Sequence, residues 1–336
     1  MLQQLPSSAE SYAVDQRAEI TAAARAASKL WRGMGQDFDA SYSAIEPSLL
    51  RVADLAQSRV LEGAQAYIPA VLAQTGQVAS IAPRFTVDAY SLVGTAGDGL
   101  PTEGLLYGAV THAKASVGSG ATVAEALVSG GQWLSTAMGT LLSDTGRASE
   151  SLAMQSRHVA GYVRMLTPPS CGRCAVLAGK WTRAQVAFQR HPGCDCRNIP
   201  ASESVGGDMT VDVNSYFDSL DEAGQIRLMG SKSNAEAVRE FGADPTQVIN
   251  AYRDSWGVRP AQVYGRTVKY TTEGTTRRGL AYKSMSRADY VKAAGAAKNG
   301  RYTQLRAPRL MPESIAQIAK DRVDQERLLR LYGWVL

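Results

Sequence analysis

Four cysteines fall within 26 consecutive positions, Cys171 to Cys196, and the rest of the chain has none. They form two pairs: CGRC at 171–174, and CDC at 194–196 just after His191-Pro192-Gly193. Two thiols separated by two residues can turn towards one point, and Cys194 and Cys196, at i and i+2, share a face of an extended segment. With His191 the stretch offers five candidate ligands, Cys171, Cys174, His191, Cys194 and Cys196, where a tetrahedral zinc takes four. Four thiolates would leave His191 beside the ion, whereas three thiolates plus His191 would leave one thiol free.

Other uses of the thiols fit the sequence less well. Disulfide scaffolds spread their cysteines over a short secreted chain, whereas here a 336-residue chain holds them in one patch. The opening MLQQLPSSAESYAVDQ lacks a basic region followed by an apolar run, so a reducing compartment is expected. A redox CxxC sits at a strand-to-helix turn, but Thr167-Pro168-Pro169-Ser170 reads as a loop entering a knuckle. A nucleophilic Cys171 served by His191 competes with a metal site that accounts for every cysteine at once. Asp195 is the only carboxylate among the ligands and should face away from them, which favours a structural ion over a catalytic one.

Charge divides the chain unevenly. Residues 1–150 hold 9 Lys+Arg against 14 Asp+Glu, a net of −5; residues 151–336 hold 27 against 17, a net of +10; together they give the overall +5. The basic half suits nucleic acid or an acidic protein surface, and suits a solvated arginine-rich surface equally, because no RGG, RNP or helix-turn-helix signature accompanies it. Two stretches, Gly63–Pro83 and Ala126–Ser143, lack charge altogether. Interspersed Gln, Ser, Thr and Pro make them buried helices packed through Ala and Gly rather than membrane spans.

Residues 1–165 read as an irregular helical bundle. Glu10–Leu30 is Ala-rich, Ser48–Ala66 is apolar on one face with a start near Glu46-Pro47, and Asp98–Glu103 is a turn into a helix capped by Thr102. Thr122–Ser143 and Ala148–Leu166 continue in helical period, with a break near Asp144–Gly146. Residues 166–205 form a small loop-rich zinc-knuckle module, with Gly179-Lys180-Trp181 as a hairpin turn. Residues 206–336 form a basic α+β region of short helices, Asn214–Met229, Asn234–Phe241 and Pro245–Asp254. A hairpin-like Val268–Lys283 follows, with Arg277-Arg278 near its tip as an exposed basic turn in preference to a phosphate contact, then a helix Pro312–Leu331 and an apolar tail in which Trp334 is either a docked plug or a partner anchor. The fold class expected is mainly α.

Little enzyme chemistry is visible. HExxH, Walker A, GxGxxG and GxSxG are absent. Of the three histidines, His191 belongs to the cysteine patch, while His112 and His158 lie on helical segments, where packed or surface roles are ordinary. No catalytic residue is assigned.

The run TPPSCGRCAVLAGKW followed by HPGCDCRNIPASE resembles the MuF-like minor head proteins of tailed phages, as found in actinobacterial phages: Cys171, Cys174, Leu177, Gly179, His191, Pro192, Cys194 and Cys196 match the pattern. Tyr216–Leu220, Val248–Ala251, Tyr270–Thr276 and Pro308–Glu313 extend the likeness from about residue 160 to the end. Asp195 departs from it, since many members carry Arg there. The resemblance implies a structural minor capsid, head morphogenesis protein with a structural Zn2+, assembled in the host cytoplasm. Its place would be the virion, at the portal vertex or capsid interior. Its partners would be the portal or major capsid protein; the charge of the basic half adds packaged DNA as a candidate contact, and the hydropathy pattern gives no membrane. The same branch is also labelled capsid maturation protease, an alternative for which the sequence supplies no catalytic set.

Overall fold

The computed structural model describes residues 5–77, 81–157, 159–166, 170–178, 180–186, 194, 196–202, 212–252, 257–263, 265–287, 296–299, 302–305 and 308–335. The chain is mainly α-helical with small antiparallel sheets. Its contacts gather into two units, Gln3–Thr167 with Lys180–Thr210, and Pro168–Gly179 with Val211–Leu336.

The first unit is built on four helices, α1 (Ser7–Trp31), α2 (Phe38–Gln74), α3 (Thr102–Gly118) and α4 (Val123–Ser156). Helix α2 begins well before Pro47. The Asp37 side chain caps it by accepting from the Ala40 amide at 3.0 Å, and Phe38 and Tyr42 are already buried. Pro47 and Pro69 each remove a backbone donor, but buried residues from Phe38 to Leu72 tether the helix on both sides of them. Thr102 does not cap α3; it is the first helical residue, after Pro101.

Helix α4 opens on a capping box, in which Thr122 accepts from the Glu125 amide and the Glu125 carboxylate accepts from the Thr122 amide at 2.9 Å. It then runs unbroken through Asp144–Gly146, where the sequence suggested a break. Asp144 is bound to Arg147 one turn on, at 2.6 Å and largely out of water. A Cβ at Gly146 would meet Val60, Gln16 and Tyr12 at 3.3–3.5 Å. A small residue there lets α1 and α2 lie close, so tertiary packing overrides local propensity. The charge-free stretch Ala126–Ser143 is one of these packed surfaces: Gly130 faces the Trp31 ring, whose indole donates to the Leu127 carbonyl at 2.8 Å. Among the described residues no helix is long and apolar enough to cross a membrane.

The helix expected over Ala148–Leu166 stops at Ser156. Residues 161–165 instead form β1 (Gly161–Met165), the centre of a three-stranded antiparallel sheet with β2 (Thr182–Arg183) and β3 (Arg197–Ala201). All five β1 residues and all five β3 residues are buried. Gly161 is needed because a Cβ there would collide with the Trp181 ring and the Thr182 carbonyl. Trp181 thus leads into β2, and its indole donates to the Ala201 carbonyl at 2.9 Å, rather than forming a hairpin tip; Gly179 lies outside the described residues.

The second unit holds α5 (Gly172–Ala178), α6 (Val213–Asp218), α7 (Glu222–Met229), α8 (Lys232–Phe241) and α9 (Pro245–Ala251). Side chains of Asp212, Asp221, Ser231 and Asp244 cap the last four, and Gly230 and Gly242, at φ of 78° and 72°, end α7 and α8 in the left-handed region. A sheet of β4 (Val258–Val263), β5 (Arg266–Thr271) and β8 (Arg309–Leu310) follows, with a separate hairpin of β6 (Ala296–Asn299) and β7 (Tyr302–Leu305). The expected Val268–Lys283 hairpin is half right: Val268–Thr271 is strand, but helix α10 (Leu280–Arg287) starts within it, and Arg277-Arg278 lie exposed in the turn between. The expected final helix is two, α11 (Pro312–Ile318) and α12 (Arg322–Leu331), since Asp321 caps the second by accepting from the Asp324 amide at 2.8 Å.

Trp334 is a docked plug. It is 1% exposed, donates to the Leu310 carbonyl at 2.7 Å, and lies with its ring 3.4 Å from the Arg309 guanidinium. Arg309, also fully buried, donates to the carbonyls of Tyr332 at 2.8 Å and Gly333 at 2.7 Å and to Gln247 Oε1 at 2.8 Å. Burial draws its pKa down to about 9, which leaves it protonated at neutral pH.

Candidate metal centre

Strand β3 and the residues leading into it are fixed by the helices. From α4, Arg147 Nη1 donates to the carbonyls of Cys194 at 2.9 Å and Cys196 at 3.2 Å, while Nη2 is held by Asp144. One turn on, Glu150 accepts from the Asn198 amide at 3.1 Å and from the Tyr12 hydroxyl at 2.9 Å. Tyr67 of α2, stacked on Tyr12 at 4.1 Å, donates to the Asn198 carbonyl at 2.8 Å. The backbone groups of Cys194, Cys196 and Asn198 are therefore held by side chains from two helices, α2 and α4, with Tyr12 of α1 behind Glu150, so the two cysteines have little freedom of position.

This network is dry, and its pKa values follow. Burial raises Glu150 above the ordinary carboxylate range, opposed first by Arg197, then by the Asn198 amide, the Tyr12 hydroxyl and Arg147. Burial, reinforced by Glu150, pushes the Tyr12 and Tyr67 hydroxyls well up, so both stay protonated donors.

Cys171 and Cys174 sit at the start of α5, which packs on α6 and α9. The Ser170 amide donates to the Tyr216 hydroxyl at 2.9 Å, and a Cβ at Gly172 would stand 3.1 Å from Ile249. The Cys174 amide donates to Cys171 Sγ at 3.4 Å.

The sulfurs of Cys174, Cys194 and Cys196 all lie within 4.8 Å of one another, and these residues are 1–2% exposed. All four cysteines are free thiols, not disulfides. Ligands at about 2.3 Å in a tetrahedron stand about 3.8 Å apart, so the three sulfurs match the donor spacing of one ion. The cluster is thus able to bind a metal ion, and an all-sulfur donor set suits soft or borderline metals. Of the five ligands expected from the sequence, three converge, Cys171 joins Cys174 in the knuckle, and His191 lies outside the described residues, as does Asp195. No Asp or Glu belongs to the group among the described residues.

Sequence reasoning missed Arg147, Glu150, Tyr12 and Tyr67. Only the Asp144–Arg147 spacing was visible locally; the other contacts join residues 47 to 138 positions apart. Away from the cysteines, His112 Nε2 contacts Ser129 Oγ at 2.8 Å, and its ring packs near Trp133; His158 lies outside the described residues. No family model, curated protein or solved structure matches the chain.

Proposed function

We propose that the chain is a structural minor head protein of a tailed bacteriophage, associated with the portal or the inner capsid and stabilised by a structural zinc. The observation that carries the reading is the burial of Cys174, Cys194 and Cys196 within one donor set. These are three members of the CxxC and HPxCxC pattern on which the phage resemblance rests. Zinc fits thiolates held in a tetrahedron, with Cys171 or His191 as the fourth ligand. A dry site bounded by sulfur, without a carboxylate base among the described residues, supports a structural role over a hydrolytic one. The ion would order loops that lack an apolar core of their own.

The test is co-expression with candidate portal and major capsid proteins, followed by sedimentation of assembled particles and mass spectrometry. Co-sedimentation of a few copies per particle is expected; absence from particles assembled with the cognate proteins would refute the head role. Packaged DNA remains a proposed contact of the basic half. Several of its cations already face acids, Arg322 with Glu240 at 2.7 Å and Lys269 with Glu313 at 2.9 Å among them, so DNA affinity should be modest and should fall steeply with salt.

A second reading, a capsid maturation protease, draws on the His112–Ser129 contact, a serine hydroxyl within hydrogen-bond distance of an imidazole nitrogen. A triad also needs a group orienting the other ring nitrogen, and none is seen hydrogen-bonded there among the described residues. Specific capsid-protein cleavage that disappears in Ser129→Ala would establish this reading over the structural one.

A further inference from the structure

Tyr67 and Glu150 hold Asn198, two residues beyond the candidate ligands, whereas Arg147 holds the ligand residues themselves. Its side chain is buried, and a single nitrogen, Nη1, donates to the Cys194 carbonyl at 2.9 Å and to the Cys196 carbonyl at 3.2 Å. One donor shared by both carbonyls fixes their separation, and with it the places from which the two sulfurs start.

The other side of the guanidinium is fixed as well. Nη2 is held by Asp144 at 2.6 Å, and both side chains of this pair are at most 10% exposed. The two residues stand one turn apart on α4, so the helix sets the pair by itself, without help from β3. That turn of α4 is seated in turn by its neighbours. Gln57 of α2 donates to Thr145 Oγ1 at 3.0 Å, and a Cβ at Gly146 would stand 3.3–3.5 Å from side chains of α1 and α2. A buried guanidinium also brings a fixed positive charge towards thiols that must be thiolates to bind an ion.

We propose that Arg147 is a positioning residue of the metal centre. Its fork, oriented by Asp144, pre-sets the Cys194 and Cys196 backbones for one ion and couples occupancy of that ion to the middle of α4. The proposal rests on the metal reading above and adds to it two residues to which no thiol spacing points. Groups that orient metal ligands in this way set metal affinity by about ten- to a hundredfold. Lysine is no substitute, because a compact ammonium lacks the planar fork that meets two carbonyls on one side and a carboxylate on the other. The coupling is reciprocal: what the helix lends to ion binding, the ion returns to the helix.

The experiment is titration of the full chain with Zn2+ against a competing chromophoric chelator. Wild type is compared with Arg147→Lys, Arg147→Gln and Asp144→Asn, and with Gln57→Ala as a control for general destabilisation of α4. Wild type should bind one ion. Both Arg147 variants should bind it about ten- to a hundredfold more weakly, and Asp144→Asn about tenfold. Gln57→Ala should melt early but keep wild-type affinity. Hydrogen exchange of wild type reads the coupling without any variant: amides of residues 144–150 should exchange more slowly with Zn2+ than after chelator, and those of 123–130 should not change. Should the Arg147 variants fail to fold, Asp144→Asn and the exchange measurement decide. Wild type that binds no Zn2+ would remove the metal reading itself. Wild type that binds Zn2+, with affinity unchanged in either Arg147 variant, or lowered equally in Gln57→Ala, or with exchange at 144–150 indifferent to the ion, would overturn the role of Arg147 alone.

Discussion

Replacing Cys196 by Ser separates the metal reading from ordinary packing. The Cys196 carbonyl remains bound by Arg147, so the substitution leaves the backbone anchor in place and acts on the sulfur alone. A structural zinc contributes about 10–16 kcal/mol when its ligands are not preassembled, hence about 3 kcal/mol as one ligand's share. A serine hydroxyl in the space of a thiol that is 1% exposed adds about 1–3 kcal/mol for a buried, poorly satisfied group. The sum, about 4–6 kcal/mol, corresponds to a melting temperature lowered by about 10–20 °C for a unit of this size. The assay is elemental analysis of purified protein with thermal melts in the presence and absence of chelator. Wild type should carry one metal and lose stability with chelator; Cys196→Ser should hold the metal about a hundredfold more weakly, give it up to chelator at lower concentration and melt early. Cys171→Ser and His191→Ala then identify the fourth ligand, since only the true one reproduces that behaviour. A Cys196→Ser protein that keeps its metal and its melting temperature would refute the assignment.

Trp334→Ala should cost about 3–5 kcal/mol in denaturant unfolding, because it removes a buried ring and uncovers Arg309; Val323→Ala, at a site 78% exposed, should stay within about 0.5 kcal/mol. A Trp334 variant as stable as the Val323 variant would show that the plug is dispensable. Gly161→Ala should destabilise by about 3 kcal/mol or more, since its Cβ meets the Trp181 ring and the rigid Thr182 carbonyl; an unchanged melting curve would contradict the packing of β1 against β2. Folded Glu150 holds its proton to higher pH than the unfolded chain does, so wild-type stability should fall as pH rises from the ordinary carboxylate pKa through the folded one, and Glu150→Gln should lack that slope. Melts across pH 4 to neutrality check the sign, and parallel slopes in the two proteins would count against it.

Helix identity was legible where local chemistry decides it. Asp244-Pro245 announced the start of α9, and the Thr122 and Glu125 spacing closed into a capping box. Errors arose where distant residues decide. Asp144–Gly146 reads as a breaker until Tyr12, Gln16 and Val60 are seen to need the space at Gly146. Gly161–Met165 looks like the tail of a helix until β3 pairs with it. Pro47 signals a helix start, but the Asp37 cap ten residues earlier takes precedence. At the candidate metal centre the three clustered thiols, Cys174, Cys194 and Cys196, were readable as candidate ligands from spacing alone, because thiols are rare in this chain. Their support was not: Tyr12, Tyr67 and Glu150 are common residue types without motif spacing, and nothing local marks them as neighbours of Asn198.

The side-chain grip on the Cys194–Asn198 backbone has a kinetic consequence. Its hydrogen bonds close loops of 47, 48 and 131 residues, whereas the α-helices close on neighbours four residues away. Loop-closure entropy and high contact order place such links late. During refolding the helices should form while all four thiols are still exposed, leaving an interval in which an oxidant can join them wrongly. Yield on refolding should therefore depend on reductant most strongly in the first moments, and protection of the thiols from alkylation should appear after helical circular dichroism is complete.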